Sequence, residues 1–241
     1  NVIDTSNVST DTLKLDADAA KTVNVSGAGN LTLTLSADSS NVTAINGGSL
    51  TGKLTITTVA IDASATTVTG GSAADNITLE GANDVAVGGA GNDRLAVSGN
   101  IASAATLTGG TGSDLFDVSD FTSANAGAAV TITDLEKGEV IKFNADQNAN
   151  FAFSQVKLVN QATFDNYVSE AVKKATSATI GGSGDDGLAW FQFGGDTFIV
   201  QDTDGDKTFD DGIDITVRLT GLIDLSDASF NANGEGTLMF L

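Results

Sequence analysis

Short runs that alternate apolar and polar residues recur along the first half of the chain: Val23-Asn-Val25, Leu31-Thr-Leu-Thr-Leu35, Leu54-Thr-Ile56 and Asn76-Ile-Thr-Leu79. A period of two sends every second side chain to one face, so each run predicts a short half-buried strand. Glycine pairs punctuate the runs at Gly27/Gly29, Gly47/Gly48, Gly70/Gly71, Gly88/Gly89 and Gly109/Gly110, and their first members are 20, 23, 18 and 21 residues apart. A second set of turns is predicted between them, at Asp38–Ser40, Ile61–Ser64, Gly81–Asp84 and Asn100–Ala104. Two short strands and two turns per coil of about 20 residues, with coils stacked in parallel, describe a β-solenoid. An antiparallel sandwich, with strands every 8–12 residues, has a similar spacing and is the alternative.

The pattern changes over the last 110 residues. Val130–Phe143 reads as strand, turn at Lys137–Gly138, and strand. Thr163–Lys174 reads as a helix: Thr163 suits its N-cap, Phe164, Tyr167, Val168, Ala171 and Val172 share one face, and Lys173 and Lys174 suit its C-terminus. Ala189–Phe193, Gly194-Gly195 and Thr197–Val200 spell a β-hairpin. Asp214–Leu219 and Gly236–Leu241 add strands. Trp190, Tyr167 and 11 of the 12 Phe lie after residue 120, so a conventional aromatic core is expected there and narrow coils filled with small aliphatic side chains before it.

Composition narrows the chemistry. The 241 residues include no His, Cys or Pro, which removes imidazole and thiolate ligands, thiol nucleophiles and Ser-His-Asp triads. The net charge is −20, which disfavours a nucleic-acid partner. No apolar run is long enough for a transmembrane segment. The chain opens on Asn1 with no basic-then-apolar leader, and it is expected to be a piece of something longer. Of its 31 acidic residues, 26 are Asp, a residue of turns and oxygen-rich ion sites rather than of helix surfaces.

Those Asp residues fall in a frame. Gly88-Gly89-Ala-Gly91-Asn-Asp93-Arg-Leu95 and Gly109-Gly110-Thr-Gly112-Ser-Asp114-Leu-Phe116 match G-G-x-G-x-D-x-U, where U is a large apolar residue. Gly70-Gly71-Ser-Ala73-Ala-Asp75-Asn-Ile77 departs only at Ala73. Glycines let the turn reach positive φ and aim carbonyl oxygens inward, Asp supplies a charged oxygen, and the apolar residue anchors the next strand. Asp93 follows Asp75 by 18 residues, with Asp84 midway on the opposite edge, and Asp114 follows 21 later. Stacking would set the three in one column. Carboxylates about 4.8 Å apart at an effective dielectric of about 20 repel by roughly 3.5 kcal/mol, so a cation is expected between rungs. Calcium, which accepts six to eight oxygens in flexible geometry, fits better than magnesium. Gly47–Gly52 has Gly where the Asp should stand and is expected to bind nothing. Gly181–Asp186 matches the frame but has no copy one coil away, and reads as a loop.

A second acidic cluster runs through Asp202, Asp204, Asp206, Asp210, Asp211 and Asp214. Its D-x-D-x-D start resembles an EF-hand loop, but Lys207 and Ile213 stand where that motif has Gly and Glu, and its flanks read as strands. Calcium is expected here too, at Asp202, Asp204, Asp206, Asp210 and Asp211. Thr at alternate positions (Thr32/Thr34, Thr55/Thr57, Thr106/Thr108) suits the outer face of strands; a flat ladder for ice or sugar is disfavoured by irregular spacing.

The nonapeptides at Gly88–Ala96 and Gly109–Asp117 resemble those of the repeats-in-toxin (RTX) family. Asp134–Ile141 and Asp196–Gly221 resemble the C-terminal unit that often follows such repeats. The Ala/Thr/Asn/Val-rich residues 1–69 look like the body of Gram-negative surface-layer (S-layer) proteins of that superfamily. The resemblance implies an all-β fold: a right-handed parallel β-solenoid (β-roll) with calcium turns, then a β-rich C-terminal unit with one short helix. Its expected divisions are 1–69 (solenoid without calcium turns), 70–120 (calcium-binding β-roll) and 121–241. It also implies type I secretion on an uncleaved signal, expected within Leu222–Leu241, and a location at the cell surface. The expected function is that of a calcium-binding structural protein without enzymatic activity. Its partners would be further copies of itself in a lateral lattice and cell-surface polysaccharide. The alternative is an export-and-folding domain of a secreted adhesin or hydrolase whose active part lies outside this chain.

Overall fold

Alternation along the chain becomes stacking in space. The computed structural model describes residues 1–4, 10–17, 19–36, 39, 41–58, 65–101, 105–144, 153–159, 161–175, 187–231 and 236–241. Within these the protein is all-β with one helix, in two compact units: Asn1–Ser98 with Ala104–Asp117, and Gly99–Ser103 with Val118–Leu241.

The first unit is a parallel β-solenoid. Its strands are β1 (Val2–Asp4), β2 (Thr10–Leu15), β3 (Thr22–Gly27), β4 (Asn30–Leu35), β5 (Ala44–Leu50), β6 (Leu54–Thr57), β7 (Thr67–Thr69), β8 (Asn76–Leu79), β9 (Val85–Ala90), β10 (Arg94–Ile101) and β11 (Thr106–Thr111), and β12 (Leu115–Ser123) begins in it. Odd-numbered strands β1 to β11 form one sheet and even-numbered strands β2 to β10 the other, each strand pairing with the equivalent one a coil away. The parallel ladders exclude the antiparallel sandwich for this unit. Registers carry the sequence repeat directly: Ile77 lies opposite Leu95, and Ala86 opposite Leu107.

Inward positions form columns that define the core. Leu33, Ile56, Ile77 and Leu95 stack from one sheet, and Val23, Ile45, Val68, Ala86 and Leu107 from the other, all buried. Each column continues the hydrophobic effect from coil to coil, so no coil buries its apolar face alone. Outside, Thr32 and Thr34 lie opposite Thr55 and Thr57, so the threonine ladder is in register across β4 and β6. Thr106 and Thr108 instead face Val85 and Val87.

Two local expectations change. Gly88 and Gly89 lie within β9, and Gly109 and Gly110 within β11, rather than in the turns themselves. Their need for glycine is close approach as much as turning: a Cβ on Gly110 would collide with the Gly89 carbonyl one coil earlier, and one on Gly89 with that of Gly71. In addition, β10 runs through Asn100 and Ile101, into the turn expected at Asn100–Ala104. The rest of that turn, the whole of Ile61–Ser64, most of Asp38–Ser40 and the whole of Gly181–Asp186 lie outside the described residues.

The second unit contains the remainder of β12, then β13 (Val130–Ile132), β14 (Val140–Lys142), β15 (Phe153–Gln155), helix α1 (Phe164–Ala175), β16 (Gly187–Phe193), β17 (Asp196–Asp202), β18 (Ile215–Leu219), β19 (Ser229–Asn231) and β20 (Thr237–Met239). The strands flanking Lys137–Gly138 do not pair with each other: β13 pairs in parallel with β18, and β14 antiparallel with β20. β16 and β17 form the expected hairpin, its turn supplied by Gly194 and Gly195 at φ +65° and +100°, as a two-residue turn of this hand requires. β17 continues antiparallel into β18. The helix begins with reciprocal bonds, Asn166 N–H to Thr163 Oγ1 and Thr163 N–H to Asn166 Oδ1. Its Val168, Ala171, Val172 and Ala175 pack on Ala189, Phe191 and Val200, and Phe164 meets Phe191, Phe193 and Phe198 edge-on. No helix among the described residues is long and apolar enough to cross a membrane.

Candidate metal centres

Asp75, Asp93 and Asp114 each stand one residue before a strand of the even-numbered sheet, β8, β10 and β12. Equivalent turns therefore deliver them to the same edge of successive coils. A chain of hydrogen bonds links them. Leu54 N–H donates to Asp75 Oδ1 at 2.7 Å, Asp75 N–H to Asp93 Oδ1 at 2.7 Å, and Asp93 N–H to Asp114 Oδ1 at 2.8 Å. The three carboxylates are a column, and each is buried, with 1–2% of its surface exposed.

The second oxygens differ. Asp93 Oδ2 and Asp114 Oδ2 are buried without a hydrogen-bond partner among the described residues. Such an oxygen is costly unless something positive reaches it. Each packs directly against a glycine, where no side chain would fit. A Cβ on Gly88 would collide with Asp93 Oδ2 and stand 2.6 Å from the Gly109 carbonyl oxygen, and one on Gly109 would collide with Asp114 Oδ2. Gly89, Gly91, Gly110 and Gly112 hold φ of +109°, +118°, +100° and +143°, a region that L side chains avoid. Burial, followed by the neighbouring charges of Asp75 and Asp114, pushes the Asp93 carboxyl up to about 7, although the Asp75 N–H pulls the other way. Burial raises Asp75 as well, against the N–H groups of Leu54 and Gly71 and the charge of Lys53. Carboxylate and glycine carbonyl oxygens gather along this edge, an all-oxygen set of the kind that hard cations take.

Asp84 sits on the opposite edge, before β9, and the structure does not bring it to the column. Its Oδ1 accepts the Thr66 N–H at 2.7 Å, and its Oδ2 accepts the Thr58 hydroxyl at 2.8 Å and the Gly81 N–H at 3.1 Å. These three donors tie two coils and the Gly81–Asp84 turn together. Gly70 and Gly71 lie beside Asp75, with Gly71 N–H donating to Asp75 Oδ2 at 2.6 Å.

The second cluster lies between β17 and β18. Carboxylate oxygens of Asp202, Asp204 and Asp206 all lie within 4.8 Å of one another, with Asp202 fully buried and the other two exposed. Asp202 accepts the Gly205 and Lys207 N–H groups at 2.9 and 3.1 Å, which wraps the loop around it. Lys207 holds φ +73° where an EF-hand would have glycine. Hydrogen bonds from the Thr208 hydroxyl and N–H keep Asp206 below the usual carboxylate range. Asp210 and Asp211 are outside this group of three.

Sequence reasoning left Asp214 out of the ligand set, and it organises the loop. It is fully buried and accepts the N–H groups of Thr203 and Asp210, both at 2.8 Å. Burial, then the charges of Asp202 and Asp204, pushes it up to about 7. The signal was present, since Asp214 immediately precedes a strand just as Asp75, Asp93 and Asp114 do. Asp117 is buried and receives Arg94 Nη2 at 2.8 Å, while Arg94 Nη1 reaches Asn76 Oδ1 at 3.1 Å, a strut across three coils. No family model and no curated protein matches this chain.

Proposed function

We propose that this chain is a calcium-binding structural protein of a bacterial surface layer, exported by type I secretion and folded and assembled by extracellular calcium. The observation that carries the reading is the column of buried carboxylates with orphaned oxygens at Asp93 and Asp114. Asp93, Asp114 and the glycine carbonyls beside them would hold calcium between coils. Asp202, Asp204 and Asp206 would hold it in the β17–β18 loop, kept in shape by Asp214. The ion supplies charge neutralisation and a cross-link; the chain supplies stacked turns that present oxygens at the right height.

The thermodynamics suit export. Extracellular calcium modules bind at about 10⁻⁴–10⁻³ M, so such sites stay empty in a calcium-poor cytosol and the like charges keep the chain loose. Outside, calcium at about 100 times Kd adds about 2.7 kcal/mol per site. The folded chain then assembles with further copies of itself, with cell-surface polysaccharide as a second partner, and performs no catalysis.

The test is a calcium titration of chelator-stripped protein followed by far-UV circular dichroism and light scattering. A cooperative gain of β signal between about 0.1 and 1 mM, with a simultaneous rise in particle size, is the expected result. A gain of β signal in a chain that stays monomeric would transfer the reading to an export-and-folding module of a secreted adhesin or hydrolase. Stripped protein that is already fully folded and indifferent to calcium would refute the calcium reading.

A further inference from the structure

Three turns that look alike in sequence are not alike in the structure. In the Gly70–Asp75 turn both carboxylate oxygens are served by the protein itself: Leu54 N–H reaches Asp75 Oδ1 and Gly71 N–H reaches Asp75 Oδ2. In the Gly88–Asp93 and Gly109–Asp114 turns only Oδ1 receives a backbone N–H, and Oδ2 is buried and orphaned. The backbone differs at the same places. Gly89 and Gly110, the equivalents of Gly71, hold positive φ, as do Gly91 and Gly112, the equivalents of Ala73. Neither Gly71 nor Ala73 does, and an alanine resists that region because its Cβ crowds the backbone. The peptide whose N–H closes the Asp75 carboxylate is thus turned differently in the two later coils.

We infer that the ion ladder opens at Asp93: the Asp93 and Asp114 turns each take one calcium ion on the free oxygen, and the Asp75 turn takes none because the Gly71 N–H occupies the place of the cation. This rests on the calcium reading above and assigns its stoichiometry within the solenoid. It also divides the solenoid. The Asp75 turn is closed by the protein's own donors, and the Asp93 and Asp114 turns need the metal.

The experiment compares full-length wild type with Asp75→Asn, Asp93→Asn and Asp114→Asn, counting bound calcium per chain by equilibrium dialysis and checking each fold by circular dichroism. Asp93→Asn and Asp114→Asn should each bind one ion fewer than wild type, and Asp75→Asn the same number. An ion lost from folded Asp75→Asn would overturn the inference and leave the calcium reading standing. A wild type that binds no calcium removes both. Because an amide at position 75 can face the Gly71 N–H and unfold the turn, hydrogen exchange of the wild type supplies an independent readout. Adding calcium to stripped protein should slow exchange at least tenfold across residues 88–114 and leave residues 54–75 unchanged. Equal slowing in both segments would overturn the inference.

Discussion

The Asp93→Asn substitution separates the cost of a buried charge from the value of the ion proposed to neutralise it. The carbonyl of the new side chain can keep the hydrogen bond from the Asp75 N–H, so the shape is conserved while the charge is lost. A carboxyl held at about 7 rather than 3.8 carries a penalty of about 4 kcal/mol when ionised, at 1.36 kcal/mol per pH unit. Burial is the largest part of this, and the carboxylates of Asp75 and Asp114 add to it. The Asp75 N–H offsets part of this. In chelator at pH 8, Asp93→Asn should therefore be more stable than wild type by about 2–4 kcal/mol, read from urea unfolding by circular dichroism. At pH 3 the difference should shrink toward zero. With calcium at about 100 times Kd, the variant should gain about 2.7 kcal/mol less from the ion than wild type does. A variant less stable than wild type in chelator at pH 8 would show that the buried charge is no net burden and refute the reasoning.

Wild-type protein in chelator should lose stability as pH rises from 4.5 to 8. Asp93 and Asp214 bind protons more tightly folded than unfolded, so each contributes stability that is complete below pH 3.8 and lost as pH passes about 7. The lowered carboxyls Asp196, Asp206 and Asp224 act in the opposite sense, but only in more acidic solution; a urea midpoint that climbs between pH 4.5 and 8 would contradict the assignment. Gly88→Ala should abolish the calcium site proposed at Asp93 and cost about 2–3 kcal/mol, because its Cβ meets Asp93 and the Gly109 backbone. Gly99→Ala, at φ +91° with open space around it, should cost only the backbone strain of about 1–2 kcal/mol and keep every ion, as thermal melts and dialysis would show. Arg94→Ala removes the cation from buried Asp117 and should destabilise by about 2–3 kcal/mol in calcium, with partial recovery in Arg94→Lys, both read from urea unfolding.

Whatever repeats locally could be read from residues alone. Alternation marked β3, β4, β6 and β8, and spacings of 18 and 21 residues placed Asp93 and Asp114 above Asp75, because in a solenoid equivalent positions return once per coil. The helix was legible in the same way, since a Thr cap and a 3.6-residue apolar stripe are properties of one segment. Partners were not legible where the repeat stops. Nothing near Val130 or Val140 says that one pairs with β18 and the other with β20, because strand pairing in a conventional core depends on which distant surface completes its burial. Nor does the spelling of the glycine turns say which carboxylate oxygen is already served. That depends on how one peptide at Gly71, Gly89 or Gly110 is rotated against the coil beneath it, and the burial of Asp214 depends on the loop that closes over it. The stack and its column of charges are therefore written in the order of residues. Which of those charges are satisfied is settled by the folded chain, because desolvation and hydrogen bonding are properties of what lies opposite a residue rather than of the residue.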